Sequence, residues 1–320
     1  MDVVNVQAVP LNRWLRVIEL EYFEDFLPAA GGATRFLIGD DAALARLPEE
    51  MIAMARRHDM LAVPVSAGDT RLHMLQDVFF AVTRQLPWDD MLQVYLQDLF
   101  ARNGYPWPNP GEALSMGELA AAFGVAPNLL ARSRDQWLSR DVWEDARLAQ
   151  DFRAAMLHLC IARLEPDADD ATAASPALQW LRGEKVLMGQ LRQSEIAARI
   201  GRTNARAMLI SLCHWLRKCG HAGLLLMLDL RPALLSGASC HPVRYSPSAV
   251  MDLYEVLREI IDDIEHLPGL FLLGLADQAL IAGDRRRTLD TYKALEMRIW
   301  PDVRPGEGQN PLAPLVTVSG

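Results

Sequence analysis

Apolar positions in residues 11–27 (LNRWLRVIELEYFEDFL) recur at helical spacing, with Leu11, Trp14, Leu15, Ile18, Tyr22 and Phe26 on one face and acids on the other. Pro28 and the Ala-Ala-Gly-Gly stretch close that helix. A short apolar run, 34–38, ends in Gly39-Asp40-Asp41 and predicts a strand and a turn. Helical spacing returns over 44–58 and ends in Arg56, Arg57 and His58, cations suited to a helix C-terminus. A second strand is expected at 61–65. Strand, helix and strand within about thirty residues form a β-α-β unit, the mark of a parallel sheet.

From 72 to 218 nearly every apolar pattern is helical. Helices are expected at 72–86, 88–102, 115–123, 127–139, 142–163, 175–183, 193–200 and 204–218. Residues 103–111 (NGYPWPNPG) break the run with three prolines, and the acidic, Ala-rich 165–175 reads as a solvated loop. Strands then return at 223–229 (GLLLMLD) and 269–275, continuous apolar runs that suit strands covered on both faces. A Gly/Ser/Pro loop at 236–247 and a helix at 247–266 separate these two strands. A helix at 288–300 and a last strand at 315–318 complete the chain. Five strands alternating with helices predict a doubly wound α/β sheet. The layout is a first core segment at 1–71, a helical insert at 72–218 between strands two and three, and a second core segment at 219–320.

Composition narrows the classes. Half of the 320 residues are hydrophobic and 23% are charged, as in a globular chain able to build a sizeable core without staples. Net charge is -9, and Lys185, Lys218 and Lys293 are the only lysines, so a global basic footprint for nucleic acid is absent. Cys160, Cys213, Cys219 and Cys240 show no CxxC pair and read as reduced thiols of a cytoplasmic protein. The first residues lack a secretion-signal pattern, and no apolar run is long enough to cross a membrane. The seven histidines show no metal-ligand spacing, and neither a metal site nor a catalytic triad is expected.

The turn after the first strand is where a phosphate-binding loop would sit. Such a loop needs glycines for backbone access, a Lys for the β/γ-phosphates and a Ser/Thr for magnesium. Here Gly39 opens the stretch, but Leu44, Ala45 and Arg46 stand at the positions of the second glycine, the lysine and the hydroxyl. Each lost charged contact costs about 1.5–3 kcal/mol. The third strand ends in Asp229, the place of a magnesium-ordering acid, and Leu230 follows where a water-activating Glu would stand. Four other groups stand out. Residues 116–138 resemble a helix-turn-helix with Gly124 in the turn, making Asn128, Arg132 and Arg134 candidate DNA contacts, although packed insert helices fit the pattern as well. Arg202, Asn204 and Arg206 form a compact polar group at a helix start, an interface candidate or a capping group. Arg285, Arg286 and Arg287 read as a solvated charge run. Trp107, Trp137 and Trp143 are either contact residues or core.

Several stretches together resemble the ATP-binding proteins of BREX-type phage-defence systems (the BrxC/BrxD group), a branch of the P-loop AAA-like ATPases. They are GGATRFLIGD at 31–40, WLRGEK at 180–185, GRTNARAMLISLCHWLRKCGHAGLLLMLD at 201–229, YEVLREIIDDIEHLPGLFLL at 254–273, YKALEMRI at 292–299 and NPLAPLV at 310–316. The resemblance implies a P-loop NTPase core with a helical insert, Mg-ATP as ligand, and Arg298 as an arginine facing a nucleotide or a neighbouring subunit. It also implies a C-terminal helical lid after NPLAPLV, which is expected to be missing because the chain stops at Gly320. With positions 44–46 and 230 altered, the expectation is a pseudo-ATPase with no cofactor. It would act as scaffold or regulator on a defence protein, an active ATPase paralogue foremost. The alternatives are an ATPase that binds Mg-ATP weakly through an atypical site, and a DNA-binding protein using 116–138.

Overall fold

The computed structural model describes residues 8–109, 112–165, 175–235, 240–300 and 309–320. They divide into two compact units, one holding the described residues up to Val82 and from His221 onward, the other Thr83–Gly220.

The first unit is built on one parallel sheet. Its strands are β1 (Val9–Pro10), β2 (Ala33–Gly39), β3 (Met60–Ser66), β4 (Gly223–Asp229), β5 (Leu270–Ala276) and β6 (Leu315–Ser319), in the order β1-β6-β2-β5-β4-β3. All five expected strands are present. The sixth, β1, is a two-residue pairing of Val9 with Val318 and Pro10 with Ser319. So short a strand has no alternation of its own, and only its partner reveals it. The all-parallel sheet flanked by helices is consistent with a P-loop-like fold.

Helix α1 (Leu11–Ile18) continues into a π-helical turn, Glu19–Phe23, and α2 (Asp41–Arg57) follows β2. Trp14, Ile18 and Phe23, with Leu44, Leu47 and Met51 of α2, share one core with Leu37, Leu225, Phe271, Leu273 and Val316 of the sheet. Full burial of each such side chain is worth about 1.5–3 kcal/mol. Gly269, at φ +71°, places a backbone so close to Ala222 that an added Cβ would lie 2.6 Å from the Ala222 carbonyl, so only glycine opens β5 here.

The second unit is helical: α4 (Trp88–Arg102), α5 (Met116–Phe123), α6 (Pro127–Leu138), α7 (Gln150–Leu164), α8 (Pro176–Leu181), α9 (Met188–Gln193) and α10 (Ala205–Lys218), with α3 (Leu75–Gln85) leading in from the first unit. Trp107 and Trp137 are buried edge-on against Phe100, with centroids 5.6 and 5.3 Å away, which makes both of them core. Trp143 is half-buried, with the Arg153 guanidinium 5.6 Å above its ring.

The helix expected at 193–200 does not form. Helix α9 ends at Gln193, Glu195 takes φ +57°, and the Asp151 carboxylate accepts the N–H groups of Ala197 (2.9 Å) and Ala198 (3.3 Å). A side chain from α7 thus takes donors that a helix would have used. The first unit closes with α11 (Arg231–Leu234), α12 (Pro247–Asp262), α13 (Ala279–Ala282) and α14 (Lys293–Ile299). Most of the expected acidic loop at 165–175, and part of the loop at 236–247, lie outside the described residues.

Candidate functional site

In a parallel α/β sheet, ligands gather outside the carboxyl ends of the strands. Register aligns four of those ends: Ile38 lies beside Ala276, Leu275 beside Asp229, and Asp229 beside Ser66. An aspartate stands at the end of each of β2, β4 and β5, namely Asp40, Asp229 and Asp277.

Each of these carboxylates is turned onto its own chain. Asp40 Oδ1 accepts the Ala43 N–H at 2.7 Å and caps α2. Asp229 Oδ1 accepts the Arg231 N–H at 3.2 Å, and Asp277 Oδ1 accepts the Ala279 N–H at 2.8 Å. A helix N-terminus is a ready anion site because its first N–H groups lack intrahelical partners. At α2 that role is filled by Asp40, with Asp41 a further acid in the first turn. The local reason is sequence: Asp is among the best N-cap residues, and an acid in the first turn complements the helix dipole.

The strand-to-helix connection is therefore one residue long. Helical spacing predicts a helix start at 44 with a turn before it; α2 instead begins at Asp41, so Leu44, Ala45 and Arg46 are helical. Leu44 is 1% exposed in the core, Ala45 is exposed, and Arg46 pairs with Glu50 one turn on, at 3.4 Å. Gly39 is buried beside Leu44 and Val318. A Cβ on Gly320 would lie 3.4 Å from the Ala43 nitrogen, so the residue after β6 also lies against the α2 end.

Asp229 makes a two-pronged ion pair with Arg231: Nε to Oδ1 at 2.8 Å and Nη2 to Oδ2 at 3.0 Å. Hydrogen bonding to Asp229 raises the Arg231 pKa above its usual value, and Asp277 and Asp41 add to the effect. Leu230 is 1% exposed, and its N–H donates to the Leu275 carbonyl at 2.9 Å. Its side chain belongs to the core.

The other candidates scatter. Arg298 is tied to Asp262, with Nε–Oδ1 at 2.5 Å and Nη2–Oδ2 at 2.9 Å, and also donates to the Ala294 carbonyl. It braces α14 against α12. Nearby, Arg258 holds the Glu255 carboxyl down at about 2. Arg287 corrects the charge-run reading: it is 8% exposed and donates to the carbonyls of Ala233 (3.0 Å) and Tyr245 (2.8 Å), while Arg285 and Arg286 are exposed. Helices α5 and α6 do form a helix-turn-helix hairpin, with Gly124 at φ +66°. Asn128 and Arg132 are exposed, but Arg134 is 5% exposed and held by Asp135 and Glu165. Its guanidinium is buried and paired within the unit. Asn204 stands at the N-cap position of α10, yet its side chain reaches back to the Gly201 N–H (2.8 Å) and the Arg199 carbonyl (3.2 Å). Arg202 and Arg206 are exposed beside it.

Sequence reasoning missed Asp277 and Arg231. The signal was present: an acid directly after each of three apolar runs, and an arginine two residues past one of them. Among the described residues no group of three or more His, Cys, Asp or Glu could hold a metal ion, and no helix is long and apolar enough to cross a membrane.

No curated protein and no solved structure matches the chain. The family described as "BREX system ATP-binding protein BrxC/D" matches residues 131–320, which take in β4, β5 and β6 and leave 39–46 outside the match. That match covers more than half of the sequence, and the chain belongs to the BREX system ATP-binding protein BrxC/D family.

Proposed function

We propose that the protein is a pseudo-ATPase subunit of a BREX phage-defence system, with the AAA-like P-loop architecture and a helical insert. It works as a scaffold or regulator that docks on a defence protein, in the first place an active ATPase paralogue, in the cytoplasm. The observation that carries this reading is the self-filled edge of the sheet. The Asp40 carboxylate sits on the α2 N–H group that a phosphate would use. Arg231 sits on the acid that would order magnesium.

The residues present do not fit Mg-ATP, although the family is described as ATP-binding. A triphosphate would meet Asp40, Asp41, Asp229 and Asp277, with Arg231 already engaged. Like charges brought together in a partly desolvated site repel strongly. Leu230 lies in the core, so a base there would need a buried carboxylate. No catalytic step is assigned.

A subunit without chemistry acts through its surfaces. Its test is affinity purification of the tagged protein expressed from its native operon. A stoichiometric ATPase partner that survives washing is the expected result. A protein that elutes alone as a monomer removes the subunit reading.

A further inference from the structure

We propose that residues 182–206 form a binding surface for the phosphate backbone of duplex nucleic acid. The segment carries six cations and two carboxylates, a local net of +4 on a chain of net -9. Lys185, Arg192, Arg199 and Arg202 are all exposed. None of these four forms an ion pair with a carboxylate among the described residues, in contrast to Arg231 and Arg298.

The surface is built. Val186, Leu191, Ile196 and Ile200 alternate with the cations and are buried, at 6%, 1%, 0% and 7% exposure. Asp151 holds the N–H groups of Ala197 and Ala198, and the Trp180 indole donates to the Ala198 carbonyl at 3.0 Å. Asn204 ties Gly201 to Arg199. The Arg199 guanidinium donates to the carbonyl of Val186, the residue after Lys185, at 3.3 Å. These side-chain contacts fix the backbone that carries the exposed cations, and exposed like charges on a fixed backbone attract a polyanion.

The cations are spread in sequence from Arg182 to Arg206, with Arg192 on α9 and Arg206 on α10, which suits a polymer of phosphates over one small anion. The segment contains no Trp, Tyr or Phe on which unpaired bases could stack. Backbone contact of this kind is salt-sensitive and independent of sequence. The hairpin at 116–138 offers only Asn128 and Arg132 by comparison. The proposal does not depend on the state of the nucleotide edge.

The test is fluorescence anisotropy of the full chain with a labelled duplex of about 20 base pairs, titrated between about 50 and about 200 mM salt. Wild type is expected to bind with a steep loss of affinity as salt rises. The triple variant K185E/R192E/R202E is expected to weaken binding at least ~30-fold and to flatten the slope of log affinity against log salt by about 3. The neutral triple K185Q/R192Q/R202Q, checked for wild-type helix content, is expected to fall between the two. R13E/R16E, exposed cations of α1, is expected to bind as wild type. Absence of binding at the lowest salt overturns the proposal. So does binding indifferent to the triple change, binding lost only in R132E, or tighter binding to anionic phospholipid vesicles or an acidic peptide than to duplex.

Discussion

The carboxyl edge of the sheet and the loop at 182–206 are both rich in charge, but they treat it oppositely. At the sheet edge every strand-end acid is satisfied by its own chain: Asp40 by Ala43, Asp229 by Arg231, Asp277 by Ala279. In the loop the backbone is fixed by Asp151, Trp180 and Asn204, while Lys185, Arg192 and Arg202 are left facing solvent. A charged group closed on its own chain stabilises the fold and has little left for a ligand. A charged group held in place without a counter-ion keeps its full interaction for one. The number of charges therefore says less about function than where their partners come from.

The largest effect is expected from restoring a glutamate at the sheet edge. Leu230→Glu puts an unpaired carboxylate where the side chain is 1% exposed, and chemical denaturation should show a loss of about 3–5 kcal/mol without any gain of ATP hydrolysis. Wild-type stability in that variant would mean that the edge can open.

This position also marks how far the sequence could be read. The continuous apolar runs of β4 and β5 announce strands buried on both faces, and the alternation of strands with helices announces the parallel sheet. The start of α2 was missed because Gly39-Asp40-Asp41 reads equally as a turn, and only Asp40 bonding to Ala43 settles it. The absent helix at 193–200 has good periodicity in EIAARI, but Asp151, some forty-five residues earlier, wins the backbone donors. Arg287 sits in a run of three arginines, and nothing local reveals that the carbonyls of Ala233 and Tyr245 receive it. In the last two cases the deciding partner is distant in sequence. Of the site, Gly39, Asp229 and Leu230 were legible as positions along a strand-turn pattern, whereas the closure of the Asp229 carboxylate by Arg231 was not.

Next in size, Asp151→Ala should cost about 1–2 kcal/mol by removing two hydrogen bonds from loop N–H groups to a carboxylate. It should also lower duplex affinity several-fold by loosening a platform whose cations are all still present. Affinity unchanged by a loosened loop would show that order contributes nothing there. Asp40→Ala should cost about 1 kcal/mol through loss of the α2 cap, read as a shifted urea midpoint. Nucleotide affinity in that variant should not rise, because Asp41, Asp229 and Asp277 remain. The smallest effect belongs to Arg231→Ala. Its pair with Asp229 is partly solvent-exposed, so the loss should not exceed about 1 kcal/mol. A loss several times larger would show the clamp to be a keystone of the fold.

Isothermal titration of the wild-type protein with Mg-ATP tests the central claim most directly. A self-filled edge predicts no heat beyond dilution up to millimolar nucleotide. Saturable binding in the micromolar range that disappears in Asp229→Ala would contradict it.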